Sequence, residues 1–263
     1  SLSIGKVESD TFIFENGILS AVFSGEYPGK CLFQQSTENS PSKLYLQEFM
    51  FDKENVKLFS NAICEIHLQD LTLDGCYINN ALISLLSFPS ELKSIRLERL
   101  NLTSWGIQSI LDKLSPSLES LEVVDSLNIE LIQWESPDFS KFSHLKIINI
   151  DNIGNHLYLN DLLLSLSLLP LERLKLSCVY LTTEELTRVL SKWKEQNGCA
   201  FFNSLKGFDF NFDFYNNDVL AELVQFLFSF PNLESISLNY NQYYNNVSLP
   251  PLPSNIKQLS LPF

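Results

Sequence analysis

The chain has 263 residues, of which 45% are hydrophobic and 19% are charged, and it carries a formal net charge of −13. This apolar content is typical of a packed protein and excludes a disordered chain. The negative charge disfavours nucleic acids and anionic membrane surfaces as partners, because both would repel it. No run of about 18 apolar residues occurs, so we expect no membrane span.

The N-terminal region alternates apolar and polar residues from Phe12 to Phe33, around Gly17, Gly25 and Pro28. Alternation with a period of two predicts short strands, and the glycines and proline predict the turns between them. We therefore expect a hairpin-like cap at residues 1–40, ahead of a repeat array at residues 41–263. The end unit of such an array is expected to differ from the others, because one of its faces has no neighbour.

From residue 63 onward the pattern LxxLxLxxLxL returns every 23 to 34 residues. A repeat of this length predicts stacked supersecondary units, because one unit alone cannot bury its apolar face. An earlier, degenerate unit begins at Pro41. The first apolar positions of the later units are Ile63, Leu92, Leu118, Leu145, Leu171, Leu205, Leu233 and Ile256.

Each unit combines two hydrophobic periods. The LxLxL part alternates with a period of two and predicts a short strand whose Leu, Ile and Phe side chains face inward. Between the strands, apolar residues at i, i+3, i+4 and i+7 predict amphipathic helices. The three clearest helices are predicted at Trp105–Leu114, Thr182–Trp193 and Asn217–Phe228.

The segments Leu92–Leu114 and Leu171–Leu190 resemble leucine-rich repeats of the ribonuclease-inhibitor-like class, and the resemblance extends over about residues 42–263. It implies an α/β fold, a right-handed solenoid or horseshoe with a parallel concave sheet and convex helices. About nine repeats are expected, with irregular ones at the C-terminal end. The Asn or Cys that usually follows LxL in this family is replaced by other residues in most units. The replacements are Leu71, Leu100, Ile153 and Val179, whereas Asn241 fits.

No motif points to catalysis, a cofactor or a metal. His67, His144 and His156 fall in different units, and none has Cys, Asp or HExxH at ligand spacing. The phosphate-binding, dinucleotide-binding and serine-nucleophile motifs are absent from the sequence. We interpret Cys178 as a chance free thiol and expect a protein that is not an enzyme and binds no cofactor or metal.

Strand alternation places the residues between the inward apolar positions on the concave face. Arginine and tyrosine are frequent at interface hot spots, because each combines a large contact area with directional hydrogen bonds. We therefore predict that a protein partner binds this face. The predicted contact residues are Tyr45, His67, Arg96, Glu98, Arg99, Glu122, Asp125, Asp151, Arg173, Lys175, Asp209, Phe212 and Tyr240.

A solvated sheet face with charges paired across strands is the alternative interpretation. Arg96 beside Glu122 fits that alternative. Lys175 beside Asp209 fits it as well.

The predicted function is a non-catalytic protein–protein interaction module. The resemblance leaves two further functions open, because fold alone does not choose among them. One is a substrate-recognition or sensor arm of a larger protein, such as a ubiquitin-ligase receptor or a nucleotide-binding immune sensor. The other is a secreted bacterial effector that binds host proteins. Five cysteines without regular spacing favour reduced thiols and a cytoplasmic location, whereas sequons at Asn101 and Asn246 favour secretion.

Overall fold

The structure, a computed structural model, describes residues 11–15, 18–22, 29–34, 42–126, 139–151, 159–180, 183–195, 200–213, 217–239 and 250–261. The chain consists of two compact units, residues 1–128 and 129–263. Strands and helices alternate along both units, and parallel pairing of sequence neighbours dominates.

The first unit contains an antiparallel hairpin, β1–β2, and a five-stranded sheet in the order β3–β4–β5–β6–β7. β3 is antiparallel to β4, and the later strands are parallel to their predecessors. The strands are β1 (Thr11–Glu15), β2 (Ile18–Val22), β3 (Lys30–Gln34), β4 (Lys43–Gln47), β5 (Asp70–Asp74), β6 (Ser94–Glu98) and β7 (Ser120–Val124). The helices are α1 (Asn55–Glu65), α2 (Asn80–Ile83) and α3 (Ser104–Lys113).

The second unit repeats the design with five parallel strands in the order of the sequence. Its register shifts once, between Phe210 and Phe212. The strands are β8 (Ile147–Ile150), β9 (Arg173–Tyr180), β10 (Gly207–Asp213), β11 (Ser235–Asn239) and β12 (Gln258–Ser260). The helices are α4 (Leu159–Leu166), α5 (Thr183–Glu195), α6 (Ala200–Ser204) and α7 (Asn217–Leu227).

The core of each unit lies between the helices and one face of its strands. In β6, Ile95 and Leu97 are buried, whereas Arg96 between them is partly exposed. Trp193 of α5 packs against Phe208 of β10, with ring centroids 6.4 Å apart, so the helices cover the apolar face. The opposite face carries the alternate residues and stays open. The leading leucine of each strand–helix repeat is fully buried. These leucines are Leu68, Leu92, Leu118, Leu145, Leu171, Leu205 and Leu233.

The strand–helix repeats share a pattern of backbone hydrogen bonds as well as a buried leading leucine. The amides of Gln69 and Asp70 both donate to the carbonyl of Ser42, at 3.1 and 3.0 Å. In the next repeat, the amides of Lys93 and Ser94 both donate to the carbonyl of Gln69. In the second compact unit, four carbonyls each accept from two consecutive backbone amides in the same way. They belong to Lys146, Glu172, Lys206 and Glu234. This recurrence confirms that the chain is built from repeated strand–helix units.

The predicted start of one repeat at Ile63 is wrong. Ile63 lies in α1, and the strand of that repeat is β5, so its leading residue is Leu68. The error arose because Val56, Phe59 and Ile63 form the buried stripe of a helix that ends just before the strand pattern begins.

The corrected register changes which residue follows LxL in that repeat. It is Cys76 rather than Leu71, and its thiol lies 3.3 Å from the carbonyl oxygen of Leu46 on the neighbouring repeat. Ser126 holds the same position after β7, and its hydroxyl donates to the carbonyl of Leu97 at 2.9 Å. Asn241, the residue that fitted the family pattern, lies outside the described residues.

The three predicted helices are present as α3, α5 and α7, each within two residues of the predicted bounds. Among the described residues, no helix is both long and apolar enough to cross a membrane.

Candidate functional site

The open face of the first unit carries a central column of side chains across β4 to β7. The register pairs Tyr45 with Thr72, Thr72 with Arg96, and Arg96 with Glu122. Thr72 therefore occupies the place that the sequence analysis assigned to His67.

His67 does not lie on the open face. It follows α1 with φ of 50°, is exposed, and its Nδ1 is 3.8 Å from a carboxylate oxygen of Glu91. Its misplacement follows directly from the wrong start of the repeat at Ile63.

Arg96 is held between two carboxylates on the open face. Its Nε donates to Oε2 of Glu98 at 2.9 Å, along its own strand. Its Nη1 donates to Oε2 of Glu122 on the next strand at 2.6 Å. The Arg96 side chain is about one-third exposed, and both carboxylates orient its guanidinium. The predicted pairing of Arg96 with Glu122 is confirmed.

A second network surrounds Asp74 at the end of β5. The Asp74 side chain is only 8% exposed, and Arg99 donates to its Oδ1 from Nε at 2.8 Å and from Nη2 at 2.6 Å. The Tyr45 hydroxyl donates to Oδ2 at 2.7 Å. Both oxygens of this buried carboxylate are thereby satisfied, which offsets the cost of burying its charge.

The environment of Tyr45 favours its neutral form. Burial and the hydrogen bond to Asp74 raise the pKa of Tyr45 to about 12, and the charges of Asp74 and Glu98 act in the same direction. Lys30 of β3 lies over the Tyr45 ring, with its Nζ 6.0 Å from the centroid. The ring is therefore contacted at its hydroxyl and on its face, which orients it on the sheet.

The residue after each of the strands β4 to β7 has a left-handed backbone. Glu48, Gly75, Arg99 and Asp125 follow β4, β5, β6 and β7 with φ between 47° and 60°. Such a conformation is uncommon outside glycine, and its recurrence at one position of four repeats makes it a property of the repeat. It directs Arg99 back toward Asp74, one strand away.

Exposed apolar side chains lie near this end of the strands. Met50 and Tyr77 form an isolated bridge after β4 and β5 and are 54% and 63% exposed. Trp105, in the first turn of α3, is 53% exposed. Leu32 is also exposed, at 52%, but it lies in the middle of β3 as the register partner of Tyr45. Aromatic residues and methionine are enriched in protein interfaces, so these side chains extend the candidate surface beyond the charged networks.

In the second unit, Lys175 and Asp209 are register partners on the open face. No ion pair joins these two described residues, so the expected pairing of their charges does not form. Arg173 precedes Lys175 on the same face of β9, and Asp151 directly follows β8.

Two predicted contact residues remain, Phe212 and Tyr240. Phe212 lies in β10 opposite Val179, after the register shift. Tyr240 falls outside the described residues.

Two residues of the candidate site were not among the predicted contacts: Thr72, in the central column of the open face, and Asp74, at the end of β5. The signal for both was the Asp-Gly pair at residues 74 and 75, which marks the end of a strand. Aligning that pair with the ends of the other strands would have corrected the register.

No group of three or more His, Cys, Asp or Glu residues in the described part of the chain is arranged to hold a metal ion. Burial raises the pKa of the Cys31 and Cys64 thiols, and Glu91 raises that of Cys64 further. A raised pKa leaves these cysteines as thiols near neutral pH, the less nucleophilic form.

No protein-family model matches the chain, and a search of curated proteins found no significant match.

Proposed function

We propose that the chain is a leucine-rich repeat protein of the ribonuclease-inhibitor-like class and that the open face of its sheet binds a protein partner, without a reaction of its own. The equivalent strand–helix units and the buried polar groups at Cys76 and Ser126 support the repeat assignment. The free thiols of Cys31, Cys64 and Cys76 support a reducing, cytoplasmic location.

The observation that carries the binding proposal is the set of hydrogen bonds that hold the polar side chains on the first unit's open face. Arg96 and Arg99 are each tied to carboxylates at 2.6 Å, and Tyr45 is tied to Asp74 at 2.7 Å. A side chain that is already fixed loses little conformational entropy when a partner binds. Arginine and tyrosine held in this way are suited to act as hot-spot residues.

The charge of this face favours a partner with exposed basic groups. Carboxylates outnumber cations across β3 to β7, and the chain as a whole carries −13. Complementary charge speeds association and excludes wrong partners more than it adds affinity. The carboxylates are Glu48, Asp70, Asp74, Glu98, Glu122 and Asp125, and the cations are Lys30, Lys43, Arg96 and Arg99.

The area of the face sets the size of the contact. Five strands of about 17 Å, spaced by about 4.8 Å, present roughly 400 Å². A standard-size interface buries about 800 Å² on each partner. A partner of that kind must therefore extend past the strand ends, and the exposed Met50, Tyr77 and Trp105 provide an apolar surface there.

A bulky substitution on the open face tests the proposal. Thr72→Trp places a large side chain between Tyr45 and Arg96 without removing any of the hydrogen bonds described above. Asn61→Trp is the matched control, because Asn61 is exposed on α1 in the same unit. Both variants and the native chain are immobilised, and proteins retained from a lysate of the source cells are quantified by mass spectrometry.

The expected result is a protein that the native chain and Asn61→Trp retain and Thr72→Trp loses, with unchanged circular dichroism in all three. Equal retention by the two variants would remove the open face of the first unit as the binding surface.

A further inference from the structure

A groove on the open face of the second unit is centred on Gly207. The register sets Gly207 between Arg173 and Ser235, and Ser235 beside Gln258. A Cβ atom at Gly207 would lie 3.1 Å from the Ser235 hydroxyl and 3.5 Å from Cγ of Arg173. A side chain at Gly207 would therefore crowd Ser235 and Arg173, and the groove that these three residues help to line measures about 360 Å³.

Two cations line one wall of the groove. Arg173 and Lys175 alternate on β9, and neither forms a hydrogen bond or an ion pair with another described residue. The hydrogen bond from Lys206 lowers the pKa of Glu172 most, and the charge of Arg173 lowers it further, although no ion pair joins Arg173 to that carboxylate. The arginines on the first unit's open face are different, since Arg96 and Arg99 both bind carboxylates at 2.6 Å.

The other groups of the groove are polar and mostly neutral. Ser235, Ser237 and Gln258 line the side formed by β11 and β12, and Asp209 lies on β10 between the walls. Hydroxyl and amide groups can donate hydrogen bonds to an anion, whereas Asp209 can accept one from a backbone N–H. Two cations and one carboxylate give the groove a net charge of one positive unit.

We propose that this groove binds the carboxylate of an aspartate or glutamate side chain presented by a protein partner, an inference that rests on the proposed binding function. The planar guanidinium of Arg173 suits two-point contact with a carboxylate, and Lys175 adds a second positive charge. Asp209 repels an incoming carboxylate, and the two cations of the groove outweigh it by one charge.

The test measures binding of short fluorescein-labelled peptides to the full chain by fluorescence anisotropy at low salt. The probes are a peptide of alternating glutamate and glycine, its glutamine counterpart and its phosphoserine counterpart. One variant carries Arg173→Gln and Lys175→Gln. The control carries Arg188→Gln and Lys192→Gln, which removes the same charge from exposed positions on α5 of the same unit.

We expect the glutamate peptide to bind at least about tenfold more tightly than the glutamine peptide, the effect of one charge-assisted hydrogen bond. The groove variant should lose this preference, and the control should keep it. The amide resonance of Gly207 should shift with the glutamate peptide alone.

Three results would overturn the assignment. They are equal binding of the glutamate and glutamine peptides, equal loss in both double variants, and tighter binding of the phosphoserine peptide. A failure of the groove is distinguishable from a failure of the proposed function. If the groove fails while Thr72→Trp still abolishes partner capture, only this inference falls.

Discussion

Lys113 ties one repeat to the next and offers a sharp test of how the repeats are joined. It is the last residue of α3, and its Nζ donates to the carbonyls of Ile83, Ser84 and Leu86, at 2.9, 2.5 and 2.8 Å. These carbonyls lie at the end of α2, a helix of only four residues. A helix this short leaves its last carbonyls without intrahelical donors, so the ammonium serves as a C-terminal cap supplied by the neighbouring repeat.

Lys113→Met keeps most of the aliphatic stem and removes the three hydrogen bonds. A hydrogen bond from a charged group contributes about 1.5 to 3 kcal/mol, but one ammonium serves all three carbonyls and water replaces part of the loss. Burial also lowers the pKa of Lys113, which shows that desolvation of the ammonium opposes the gain. We expect a destabilisation of about 2 kcal/mol.

Urea unfolding followed by circular dichroism measures this change, and amide hydrogen exchange locates it. The amides of Leu85 and Leu86, which bond to Leu82 and Ile83, should lose protection first. Lys192→Met is the control, because Lys192 is exposed and forms one ion pair, with Glu195 at 3.2 Å. It should change stability by less than about 0.5 kcal/mol. Equal stability of the two variants would refute the capping role.

Three further changes have defined outcomes. Gly106→Ala places a Cβ 2.9 Å from Oδ1 of Asn80, so the free energy of unfolding in urea should fall by about 1 to 3 kcal/mol although alanine has the better helix propensity. Adding Asn80→Ala should restore part of this loss, whereas a stabilised single variant would contradict the close packing. Ser126→Ala leaves the Leu100 amide without its side-chain acceptor, so the free energy of unfolding should fall by about 1 to 3 kcal/mol in the same urea assay. An unchanged free energy would mean that water replaces the hydroxyl. Tyr45 should ionise near pH 12, seen as an ultraviolet difference from Tyr45→Phe. Because the pKa of Tyr45 is raised in the folded state, its neutral form stabilises the fold fully below about pH 10, the ordinary tyrosine pKa, and this stabilisation is lost as the pH rises toward about 12. Ionisation of Tyr45 near pH 10 would contradict the hydrogen bond to Asp74.

The repeat pattern predicted much of the fold because leucine spacing and helix periodicity agree along most of the chain. The leading leucines from Leu92 to Leu233 are all buried, as the pattern required. The prediction failed where a helix stripe ran directly into a strand. Ile63 fits both the helix period and the strand pattern, and only the backbone hydrogen bonds of Leu68 and its neighbours show that the repeat begins at Leu68.

The candidate site was partly predictable for a related reason. Alternation placed Tyr45, Arg96 and Glu122 on one face, and the register confirms that they share a column. The partners of those side chains were not predictable, since Asp74 enters the site only once β5 is correctly aligned. The left-handed backbone at Arg99, which aims its guanidinium at Asp74, has no signature in the sequence.

Site-specific photo-crosslinking tests the central claim, that a protein partner lies against the open face. A benzophenone side chain is introduced at Thr72 in one variant and at Asn61 in another, and each is irradiated in lysate of the source cells. We expect one discrete crosslinked product from position 72 and none of that mass from position 61. The same product from both positions, or from position 61 alone, would contradict the claim.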